Sequence, residues 1–192
     1  MLEWLQGTAF AISIRDSLLL FPLLESAHVI GLTLVFGTIA VVDLRLLGAA
    51  SSGRSFRRVA SDTLRWAWAA FAVTALTGSL MFVTNAAGYV HNAWFRAKVA
   101  LLVLAALNVL AFELTAGRTI EQWDEAPSAP PVGRAVAAVS LAVWVAVVVA
   151  GRMIGFTTSR APIEPLPADV NFEELLGVPA ESGALPAPSE KK

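Results

Sequence analysis

Four long apolar stretches, at about 17–42, 66–86, 94–114 and 134–156, govern what this chain can fold into. Each can cross the hydrocarbon core of a bilayer, which takes about 20 helical residues. Inside lipid every backbone polar group must be satisfied within its own segment, so runs of this length and composition fold as helices. The expected fold is an all-α integral membrane four-helix bundle. Composition agrees: 56% of the 192 residues are hydrophobic and only 15% charged, too few charges to cover a soluble globule of this size.

The flanking segments complete the expected architecture. Leu2 to Ile14 is too short to span and sets Trp4, Leu5, Phe10 and Ile14 among small and polar residues, which predicts an interfacial helix. The residues ahead of the first stretch include Glu3 and no Lys or Arg before Arg15, and the stretch is long for a signal peptide. It reads as a retained span. Residues 1–157 therefore form the predicted transmembrane domain. From 158 on, prolines at 162, 165, 167, 179, 186 and 188 and acids at 164, 169, 173, 174, 181 and 190 predict a mobile, acidic tail. Within it Asn171, Glu173 and Glu174 suit a capped helical turn, and Phe172, Leu175 and Leu176 a small apolar face for a protein partner.

Charge bias sets the expected orientation. The first and third loops with their span ends carry Arg45, Arg54, Arg57, Arg58, Arg65, Arg118 and Arg134, against Arg15, Arg96, Lys98, Arg152 and Arg160 on the other side. Positive loops stay cytoplasmic, so in a bacterial inner membrane both termini are expected in the periplasm. The net charge of −1 and the lack of a basic run exclude nucleic acid as a partner class. The absence of cysteine excludes disulfides, thiolate metal sites and iron–sulfur clusters.

Candidate chemistry comes from the few polar residues within spans, because a charge at a helix centre costs about 2.5 to 3.5 kcal/mol even on lenient scales. Glu25 and His28 share one helix face, and Arg152 lies at comparable depth in the fourth span. An ion pair between Glu25 and Arg152 with His28 beside it is expected, with Asn108 as a further polar anchor in the other half. Met81, Tyr89, His91, Lys98 and Met153 map to the same side as His28. Two cofactor readings follow. His28 could ligate haem b, with Met81, Met153 or His91 as the second ligand and Arg152, Arg96 or Lys98 for the propionates. Alternatively His28, Met81 and Met153 form a copper site, thioether and imidazole both suiting Cu(I). The third reading is a structural network in a membrane subunit or anchor. No nucleophile–base set or phosphate loop appears, so an autonomous enzyme is not expected. Small residues one turn apart, Ala27 and Gly31, Ala70, Thr74 and Gly78, and Gly151 and Gly155, predict close helix packing.

These motifs resemble a known family. Glu25-Ser26-Ala27-His28-Val29-Ile30-Gly31-Leu32, Phe36-Gly37 and Val42-Asp43-Leu44-Arg45-Leu46-Leu47-Gly48 are similar to the first-span signature of the DUF6644 family, small four-span bacterial membrane proteins of unknown function. Thr77-Gly78, Tyr89, Asn92, Phe95 to Lys98, Leu107-Asn108, Ser140 to Trp144 and Gly151-Arg152 extend the likeness over most of residues 1–157. The resemblance implies four spans and supplies no activity. A looser likeness links the early-span histidine to copper-resistance membrane proteins and small b-type cytochromes.

Overall fold

The computed structural model describes residues 2–158 and is all helical. Four helices are long and apolar enough to cross a membrane: α3 (Leu20–Leu47), α4 (Phe56–Thr84), α6 (Ala93–Leu114) and α8 (Pro131–Thr158). Two short helices, α1 (Leu2–Gln6) and α2 (Ala9–Arg15), precede them; α5 (Ala86–His91) joins α4 to α6, and a 3-10 turn (Ala116–Thr119) with α7 (Ile120–Trp123) follows α6. The expected tail, with its turn at Asn171 to Glu174, lies outside the described residues.

The spans begin and end where local chemistry permits. Pro22 sits in the first turn of α3, where no intrahelical N–H is lost, and Ser17 Oγ accepts from Leu20 N at 3.1 Å. α3 stops at Gly48, whose φ of 74° is the left-handed conformation that closes a helix end; Gly48 N then reaches Arg45 O at 3.1 Å and Ala49 N reaches Leu44 O at 2.9 Å. A Cβ at 48 would also lie 2.8 Å from Ser128 Cβ. Ser55 caps α4 and Asn92 caps α6, the latter accepting from Trp94 N at 2.9 Å and Phe95 N at 3.3 Å.

Two boundaries differ from those read in the sequence by more than three residues. α3 runs through Asp43 and Arg45 to Leu47 rather than ending at 42, because those two polar side chains are buried in protein instead of facing lipid. α4 starts at Phe56, ten residues ahead of the apolar stretch, so Arg57, Arg58 and Arg65 belong to its first turns and the loop shrinks to Gly48–Ser55. Hydropathy marks where lipid begins, whereas helical hydrogen bonding continues into the polar zone. The N-terminal segment is likewise two helices rather than one. Gly7 and Thr8 break it, and Thr8 Oγ1 caps α2 by accepting from Ala11 N at 3.2 Å.

Packing follows the small residues where a neighbour comes close. α3 lies along α4, α6 along α8, and α3 also against α8. A Cβ at Gly31 would collide with Thr74 Oγ1 and lie 3.4 Å from Ala70 O, so glycine lets α3 and α4 approach at backbone distance. Gly151 makes no such close approach, since a Cβ there would meet Lys98 Nζ at an ordinary 3.6 Å. Val35, Ala70, Ala105, Val143, Trp144 and Val147 fill the middle of the bundle, while Leu46, Phe56, Trp123 and Ala137 fill the basic end. Outward apolar residues such as Leu34 (54% exposed) and Leu107 (55%) suit contact with lipid chains.

Candidate functional site

At the end of the bundle that carries the start of α3, His28 is turned toward α4. Its Nδ1 lies 3.0 Å from Thr74 O and 3.1 Å from Thr77 Oγ1. A carbonyl can only accept, and the Thr77 hydroxyl donates to Val73 O at 2.8 Å, so Nδ1 carries the proton and is shared between the two acceptors. The ring rests on Gly78, where a Cβ would come 2.9 Å from His28 Cε1. Glycine at 78 therefore makes the slot that the imidazole occupies.

The expected ion pair is not there. The ion pairs among the described residues are Arg15–Asp16, Arg54–Asp62 and Arg57–Glu121; neither Glu25 nor Arg152 takes part. Both are exposed, near helix ends, where long side chains reach water or head groups without needing each other. The Arg152 guanidinium instead lies 4.5 Å from the ring centroid of Phe156, one turn on along α8. Glu25 acts on Tyr89: burial first, and then the Glu25 charge, push the Tyr89 hydroxyl above its ordinary pKa. Tyr89 closes an aromatic triangle with Phe82 and Phe95, at 6.2 and 5.6 Å, which ties α4, α5 and α6 together.

Of the other predicted residues, Lys98 stands near enough to His28 for its charge to act on the ring. Half-buried Lys98 lies against α8, its Nζ 3.6 Å from where a Cβ on Gly151 would stand. His91 is exposed, and its Nδ1 donates to Ala87 O at 2.7 Å on its own helix. Met81 and Met153 are half-buried on α4 and α8. Asn108 works in the other half, donating to Val136 O at 3.1 Å and so joining α6 to α8. Among the described residues no group of three His, Cys, Asp or Glu side chains could hold a metal ion.

The second polar centre was not visible as such in the sequence. Arg45 is fully buried beneath the loop between α7 and α8, and it donates to four carbonyls: Arg54 O at 2.8 Å, Pro127 O at 3.3 Å, Asp124 O at 3.2 Å and Ala126 O at 2.8 Å. It draws both loops of the basic end onto the bundle. Ala129 N to Leu46 O, 2.9 Å, and Arg57 N to Asp124 Oδ1, 2.7 Å, close the same seam. Thr74 and Thr77 were likewise missed as partners of His28, although hydroxyls three residues apart in an apolar span were the available signal.

Fold and site together define a small multi-pass helical membrane protein in which buried polar side chains bridge helices and loops. The chain belongs to the DUF6644 family, a family of unknown function, which it matches over residues 12–157. No curated protein and no solved structure matches it.

Proposed function

We propose that the protein is an integral membrane scaffold subunit, in a bacterial inner membrane with both termini in the periplasm, whose intramembrane polar residues lock its helices for assembly with a partner. One pattern carries this reading: four polar side chains reach across to a second element. His28 bridges α3 to α4, Asn108 and Asn92 bridge α6 to α8, and Arg45 bridges α3 to the loops. A buried polar group left for chemistry would instead point into a shared cleft with others.

A second reading, haem b bound through His28, is favoured by one observation. With the proton on Nδ1 donated to a backbone carbonyl, the lone pair of a neutral ring is on Nε2, and this is how metal-ligating histidines are oriented. The fit is incomplete, because the His28 ring is seated against Gly78 of α4 and His91 is exposed. Copper through His28, Met81 and Met153 has only these three residues to draw on. A reduced-minus-oxidised absorption spectrum together with a copper assay of the purified full chain separates the readings. The scaffold role predicts no haem band, no retained copper, and a His28→Ala protein that is less stable and loses its co-purifying membrane partner. A haem band abolished by His28→Ala would replace it with the haem reading.

A further inference from the structure

Asp43 lies in α3 four residues before its end, at 5% exposure, and is the buried side chain with an oxygen left over: Oδ2 has no hydrogen-bond partner among the described residues. Ser140 of α8 is within hydrogen-bonding reach of the carboxyl. The neighbouring cation cannot serve it, because all the donors that Arg45 uses go to loop carbonyls. The charged groups at this end of the packed helices are Arg57, Arg58, Asp62 and Arg65 on α4, Glu113 on α6 and Arg134 on α8. All six are exposed, and none forms an ion pair with Asp43. Asn108, the nearby amide on α6, is committed to Val136 O one turn from Ser140.

A carboxylate sealed at the edge of a bilayer with one oxygen bare must be neutralised or leave. A metal cation needs several more oxygen ligands than one carboxylate and one hydroxyl provide. We propose that Asp43 is an intramembrane proton-binding site: the carboxyl takes a proton on Oδ2 and Ser140 of α8 bonds the other oxygen. Release is a simple ionisation, in which the acid O–H breaks, the electron pair stays on Asp43, and the proton passes to water beyond the end of α3. About 6 Å of helix separates Asp43 from the end of α3, so that path is short. Ionisation leaves a bare charge against α8, which makes the α3–α8 contact the element that responds to proton occupancy.

The test is an infrared pH titration of the full chain in lipid nanodiscs, with the aspartate side-chain carboxyls labelled with carbon-13. A label-shifted band of a protonated acid should be present between neutral and mildly acidic pH, where exposed aspartates, with pKa about 3.9, remain ionised. It should vanish in Asp43→Asn and persist in Asp124→Asn. Ser140→Ala should shift its frequency, a readout that stands even if Asp43→Asn does not assemble. A band that appears only where exposed carboxyls protonate, one that survives Asp43→Asn, or one unmoved by Ser140→Ala would overturn the proposal. So would stabilisation by sodium that requires Asp43 and occurs without any protonated-acid band.

Discussion

At the scale of single residues, the account rests on who partners whom, and two positions test it directly. Tyr89 is the only tyrosine in the chain, so the phenolate absorbance of the intact protein reports it alone. Burial and the Glu25 charge both favour its neutral form, so it should titrate above the ordinary value of about 10, and Glu25→Gln should bring it part of the way back. The sign for stability follows. A group whose folded pKa is raised contributes stability that is fully present below its unfolded value and is lost as pH rises through the folded one, so the α4–α5–α6 corner should loosen only in strong alkali. Spectrophotometric titration of the two proteins checks this; a Tyr89 that titrates at or below the ordinary value would contradict its burial, and one unmoved by Glu25→Gln would show that Glu25 faces elsewhere. At Gly78, alanine would normally favour a helix by about 1 kcal/mol. Here its methyl meets His28 Cε1 at 2.9 Å, so Gly78→Ala should instead lower stability by about 1 to 3 kcal/mol in a detergent unfolding assay. Gly37→Ala, with open space around its Cβ, should be neutral or stabilising.

At the scale of elements, the decisive structure is the basic end, where one guanidinium holds two loops. Arg45→Met keeps most of the apolar stem and removes the donors to four carbonyls, so it should cost about 3 kcal/mol or more and expose residues 124–129 to proteases. Arg57→Ala, which breaks a surface pair with Glu121, should cost under about 1 kcal/mol. Limited proteolysis of both variants distinguishes a pin from a surface charge. These elements also show how far the sequence could be read. The four spans were legible because lipid forces uninterrupted helices, and α6 matches its apolar run to within a residue. The ends of α3 and α4 were not, because Asp43, Arg45 and Arg57 look like head-group residues until their partners are known. Those partners, Pro127 O and Asp124 O among them, lie some 80 residues away in a loop that local pattern leaves featureless. The Glu25–Arg152 pair failed for the same reason: matched depth brings two residues to one level of the bundle without fixing which face either occupies.

At the scale of the whole molecule, orientation and cohesion remain to be measured, and the lack of cysteine makes the first straightforward. Single cysteines at Ser52, in the basic loop, and at Val90, in α5, report opposite ends. A membrane-impermeant maleimide applied to intact spheroplasts should label Val90→Cys and reach Ser52→Cys only after lysis, as the Arg-rich loop predicts. Labelling in the reverse pattern would invert the bundle and move the His28 end to the cytoplasm. Cohesion rests on the intramembrane histidine, which clamps α3 to α4. A double-mutant cycle on His28→Ala and Thr77→Val, followed by reversible unfolding in mixed micelles, measures that clamp across the two helices. A favourable coupling of about 0.6 kcal/mol or more is expected, with the double variant losing less than the sum of the singles. Strictly additive losses would contradict it and return His28 to the role of a group held free for chemistry.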